Sequence, residues 1–126
     1  MLTILNNTTF QGKANKVEIE ISFIGAASDG TKSAEILMYK NATITGGAYS
    51  AIDANNSVIS VNTTNTITGG KLSFSAPLAK IDRVNLDTGA GHMHFQLNPG
   101  ETYSFVGLSS ATSDIIMALR WEEYFS

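Results

Sequence analysis

Apolar and polar residues alternate along most of this chain with a period of two, the pattern of strands that bury one face. "KVEIEISFI" places Val17, Ile19, Ile21 and Phe23 on one side and Glu18, Glu20 and Ser22 on the other, which predicts a half-buried antiparallel strand. "KLSFS" directs Leu72 and Phe74 inward, "HMHFQL" directs Met93, Phe95 and Leu97, and "ETYSFVGL" directs Tyr103 and Phe105, each run flanked by turn residues. No segment carries a comparable helical period. In the long apolar run "IIMALRWEEYF", Ile115, Met117, Leu119 and Trp121 line one face, while Ile116 and Ala118 make the first half of the opposite face apolar as well. A strand apolar on both faces is either central between two sheets or covered by another subunit.

The punctuation between these runs fits strands. "TITGG" occurs twice, at Thr43–Gly47 and Thr66–Gly70, and its paired glycines predict duplicated hairpin turns rather than a solenoid, which needs more than two copies. Pro99 and Gly100 predict a reverse turn feeding a strand that starts at Glu101. Between Asn41 and Gly70 the richness in Asn, Thr, Ser and Gly predicts long loops. Eight or so short strands at intervals of roughly ten residues, with no crossover helices, predict an all-β fold: an antiparallel β-sandwich of jelly-roll type, one domain spanning residues 1–126.

Composition narrows the function. Charged residues are only 15% of the 126, against about 25% in an average domain, and the balance is Asn, Thr, Ser and Gly. The net charge is −3 and no basic run is present, so nucleic acid is not an expected partner. There is no cysteine, which removes disulfides, thiolate nucleophiles and sulfur-ligated zinc. The start "MLTILNNTTFQGK" is too short in apolar residues for a signal peptide or a membrane span, so no membrane association is expected. Asn-x-Ser/Thr triplets at Asn6, Asn7, Asn41, Asn55 and Asn62 are read as turn markers.

Catalytic constellations are not expected. Gly-x-Ser-x-Gly and phosphate-cradling loops are missing, and Glu122 and Glu123, being adjacent, point to opposite strand faces and read as a solvated strand end. His92 and His94 stand two apart, so a strand would put both rings on one face, within reach of one metal. "HMH" resembles the start of the cupin pattern, in which a His-x-His pair is followed by Glu, a Pro-x-Gly turn and a third His. Here Glu101 comes late, Pro99–Gly100 precedes it, Tyr103 holds the last ligand's place, and no third histidine exists. Asp87 and Glu101 are the remaining carboxylates, too loosely placed to complete a site. The expectation is therefore no metal and no cofactor, with His92 and His94 facing solvent or a subunit contact because Met93 and Phe95 take the core.

"LNPGETYSFVGLSS" followed by "DIIMALRWEEYF" resembles the closing strands of small jelly-roll virion proteins of tailed bacteriophages, the capsid decoration or cement type. The resemblance covers roughly the last thirty residues and transfers no functional residue. It implies a non-enzymatic structural protein located in the virion, a homotrimer or dimer whose partners are itself and a capsid or other virion protein. The residues expected at the subunit contact are Ile116, Ala118, Tyr124 and Phe125. Trp121 is assigned to the core. Two other functions fit the same architecture: a carbohydrate- or receptor-binding module using loop aromatics such as Tyr49, and a cupin-like metal-binding protein.

Overall fold

The computed structural model describes residues 2–28, 34–78, 82–87, 95–109 and 115–125. Among them the secondary structure is entirely β: β1 (Leu2–Asn6), β2 (Thr9–Phe10), β3 (Lys13–Ala14), β4 (Glu18–Ser28), β5 (Ala34–Lys40), β6 (Thr43–Thr45), β7 (Ser50–Ala51), β8 (Ile59–Asn62), β9 (Thr66–Thr68), β10 (Lys71–Leu78), β11 (Asp82–Asp87), β12 (Phe95–Leu97), β13 (Thr102–Ser109) and β14 (Ile115–Tyr124).

Six strands form a large antiparallel sheet in the order β10-β5-β13-β1-β8-β7. A smaller antiparallel sheet is organised on β4. β14 pairs with one flank of β4 from Glu18 to Ser28, and β11 and β12 follow one another along the other flank, opposite Phe23–Ser28 and Ile19–Ile21. β2–β3 and β6–β9 are two-stranded ribbons. One hydrophobic cluster draws on both sheets: Ile4, Met38, Ile59, Tyr103 and Phe105 from the large one, Ile19, Ile21, Ile24, Phe95 and Leu97 from the small one.

Among the described side chains most predicted inward residues are inward, with two exceptions that share a cause. β4 carries a bulge at Ser22, so that Trp121 stands opposite Ile21 and Arg120 opposite Phe23. The extra residue shifts the phase by one: Ile24, and not Phe23, continues the series Ile19 and Ile21 into the core, and the Arg120 guanidinium lies 5.6 Å over the Phe23 ring. Ser73 does the same in β10. Leu72 stands opposite Tyr39 on the outer face, 52% exposed, whereas Phe74 stands opposite Met38 and meets Phe95 edge-on at 6.2 Å.

The stretch from Asn41 to Gly70 is strand-bearing rather than a set of long loops, and its Val58 and Ile59 are fully buried. The two TITGG copies are not separate hairpins. Their strands pair with each other, Ile44 opposite Ile67 with Thr43–Thr68 and Thr45–Thr66 on either side, so the repeat is a local two-fold motif. Its four glycines all have positive φ, as paired turn glycines should. At Gly70 a Cβ would also lie 2.8 Å from the Ala42 backbone.

Two polar staples tie the small sheet to the large one. Asn6, fully buried on β1, donates from Nδ2 to the carbonyls of Val17 (2.8 Å) and Leu97 (3.0 Å) and accepts at Oδ1 from Asn15 Nδ2 (2.7 Å). Glu123 on β14 accepts the Val58 amide at 2.8 Å, the Ser57 hydroxyl at 2.9 Å and the Trp121 indole N–H at 3.2 Å. Glu123 is therefore a structural acceptor, not part of a solvated strand end, and Asn6 is a buried strand residue, not a turn marker; Asn62, buried at the end of β8, does mark a turn, its Oδ1 accepting the Thr64 amide at 3.1 Å.

Candidate functional site

β14 is the element the sequence singles out, and its placement follows from its pattern. Met117, Leu119 and Trp121 turn onto the core cluster, and Ala118, Arg120, Glu122 and Tyr124 are exposed on the opposite face. That outer face is mixed. Arg120 donates from Nε to the Ser22 hydroxyl (3.2 Å), which in turn donates to the Arg120 carbonyl (3.3 Å), fixing the guanidinium beside the bulge. Tyr124 donates its phenol to Glu122 at 2.6 Å and also reaches Glu20 at 3.4 Å; the bond to Glu122, ahead of burial and the nearby negative charge, pushes its pKa up to about 12.

The four residues expected at a subunit contact fall on one strand and its end. Ala118 is exposed opposite Gly25, and Tyr124 and Phe125 are 49% and 54% exposed. Ile116 stands opposite Ala27 in the register, its side chain outside the described part of the structure. Phe125 already has a partner in its own chain, meeting Phe10 edge-on at 5.8 Å. The two rings border a hollow of about 290 Å³ also lined by Gln11, Lys13 and Lys16, with no carboxylate in its wall.

The backbone of β14 matters more than its side chains. All ten residues pair with β4 on one edge, and among the described residues no strand pairs with the other edge. Such an edge presents a row of unmet N–H and C=O groups, a template for another chain. Among the described residues the other free edges are shorter or blunted: β7 has two residues, β12 three and β11 six, and β10 carries Pro77, which has no N–H to offer.

A second apolar surface, which sequence reading did not single out, lies where two strands turn apolar residues outward as well as inward. On the outer face of the large sheet, Leu37 and Tyr39 of β5 and Val106 and Leu108 of β13, together with Ile67 and the glycines of the β6–β9 ribbon, line a groove of about 390 Å³. Leu72 flanks it opposite Tyr39, and Leu108 is 50% exposed. Tyr49 is exposed on the segment before β7.

His92 and His94 lie outside the described residues, as does Met93. Of the two carboxylates considered with them, Asp87 ends β11, and Glu101 is engaged elsewhere: it accepts the Asn98 amide (2.7 Å) and the Asn41 side-chain amide (3.1 Å) and pairs with Lys40 at 3.6 Å. Burial raises the Glu101 pKa, but these bonds together with the Lys40 charge outweigh it and hold the carboxyl below its ordinary value. Among the described residues no three histidine, aspartate or glutamate side chains converge on a metal-sized site. No helix of the described residues is long and apolar enough to cross a membrane, which says nothing of strands. No protein family, curated protein or solved structure matches this chain.

Proposed function

We propose that this is a non-enzymatic structural protein that works by assembly: a β-sandwich, in the narrower form a jelly roll, that associates with copies of itself and sits on a larger particle as capsid decoration proteins do, in the virion. The observation that carries the reading is the edge of β14 that no strand among the described residues covers, ten residues long and free of proline. A core shared between the two sheets supports the sandwich. The apolar groove beside Leu72 and Leu108 supplies a second contact surface, on a different sheet from the β14 edge, and the reading gives it to the shell protein. Two surfaces on one small protein suit a clamp, since several linked weak contacts gain avidity without chemistry and act only on the assembled particle.

Light scattering at tens of micromolar tests the reading. A dimer or trimer is expected; a strict monomer contradicts self-assembly. A second reading, saccharide binding, is favoured by the hollow between Phe10 and Phe125, where aromatic rings adjoin two exposed lysines. Calorimetric titration with a uronic-acid trisaccharide showing binding that Phe125→Ala abolishes would put this reading first.

A further inference from the structure

We infer that two copies of the chain join edge to edge through β14, antiparallel, with Trp121 of one opposite Trp121 of the other. The inference rests on the proposed self-assembly and specifies its contact. The occupant of the β14 edge is a second copy because the strand's own outward residues are complementary to themselves in one register.

Symmetry restricts the choices. A two-fold axis perpendicular to the small sheet keeps both cores on the same side, as each copy must continue to cover its own apolar residues Met117, Leu119 and Trp121. Under that axis residues directly opposite share a face, so some residue of β14 must face itself. Centring on Arg120 sets two guanidinium groups side by side, and centring on Glu122 does the same with two carboxylates; like charges directly opposite are unfavourable. Centring on Leu119 puts Arg120 opposite Ala118 and leaves the charge unmatched. Centring on Trp121 puts Arg120 of each copy opposite Glu122 of the other, and Ala118 opposite Tyr124, each twice by symmetry.

The inner face tolerates this arrangement. Leu119 comes opposite Glu123 of the second copy, and that carboxylate is already turned onto Ser57, Val58 and Trp121 of its own chain. Arg120 is held at the bulge by Ser22 and Phe23, so its charge is placed before the partner arrives. The small sheets of the two copies then run together as one, and the row of unmet backbone groups on each β14 closes on the other.

Sedimentation equilibrium on the full chain, with Arg120→Glu, Glu122→Arg and the double reversal, tests the register. Both residues are exposed, so the variants fold, which far-UV circular dichroism checks. The wild type is expected to dimerise. Each single reversal places two like-charged pairs across the contact and weakens association about tenfold or more, and the double reversal restores it. A dimer indifferent to the single reversals, or not restored by the double, overturns the register while leaving self-assembly standing. A monomeric wild type overturns both.

Discussion

Replacing Asn6 removes the polar staple between β1 and the small sheet, and the cost follows from its partners. The side chain is fully buried and makes three hydrogen bonds, donating to the carbonyls of Val17 and Leu97 and accepting from Asn15. Asn15 keeps its bond to the Asn7 carbonyl at 2.6 Å, so the amide left without an acceptor is partly compensated. The two carbonyls lose a donor where water cannot easily replace it, at about 1–3 kcal/mol for a stranded group. Allowing for relaxation, Asn6→Ala should destabilise by about 3 kcal/mol, a large share of the 5–15 kcal/mol typical of a domain. In melting temperature this is roughly 10 °C for a chain of this size. Urea unfolding followed by fluorescence of Trp121, the single tryptophan, measures it. Asn6→Leu separates the two contributions, since it refills the volume and strands the same carbonyls. Leucine should be no better than alanine. If leucine recovers wild-type stability, or if both variants lose less than about 1 kcal/mol, hydrogen bonding at Asn6 is not what ties the sheets together.

Glu123→Ala should cost about 1–3 kcal/mol by stranding the buried Val58 amide, and hydrogen exchange of β14 amides should speed up more than that of β13. Gly69→Ala and Gly70→Ala should differ although both positions have positive φ: the first opens onto empty space and loses about 1–2 kcal/mol, while the second also meets the Ala42 backbone and loses about 2–4 kcal/mol in thermal melts. For Glu101 the folded-state pKa lies below the ordinary 4.5, so its charge contributes stability above that pH, lost as pH falls through the folded value. Glu101→Gln should therefore cost about 1 kcal/mol or less at pH 7, and the gap from wild type should close in acid denaturation below the ordinary glutamate range.

The β content and most core positions can be read from the amino acids because period-two alternation is a local signal. Ile19, Ile21, Phe95, Leu97, Tyr103 and Phe105 are all buried where alternation puts them. It misplaces Phe23 and Leu72 because a bulge adds one residue without any mark in hydropathy. The apolar groove goes unseen for another reason: Leu37, Tyr39, Val106 and Leu108 are scattered in sequence on the outward phase of two strands, and only the pairing of β5 with β13 gathers them. Asn6 and Glu123 are misread differently. A short amide beside other turn formers, or an acid near a strand end, is surface by default, and only the tertiary approach of Val17, Leu97 and Val58 makes Asn6 a buried donor and Glu123 a half-buried acceptor. The pairing of the two TITGG segments is a long-range choice that repeat spacing does not reveal. At the candidate site the run Ile115–Trp121 identifies the strand, with Met117, Leu119 and Trp121 inward as expected. The exposed face is apolar at Ala118 and turns mixed beyond it, where Arg120, Glu122 and Tyr124 follow, in keeping with a run whose second face is apolar only over its first half.

The central claim is that the open edge of β14 is covered by a second copy, and a distance across that contact tests it most directly. The chain has no cysteine, so Ala118→Cys, on the exposed face of β14, takes a single nitroxide label. With Trp121 on the symmetry axis, the two labelled backbones sit three residues either side of it, about 20 Å apart at the rise of a β-strand. Pulsed dipolar spectroscopy on the frozen protein should return a narrow distribution near that value. No dipolar coupling, or a distance beyond about 30 Å, would mean that β14 does not meet itself.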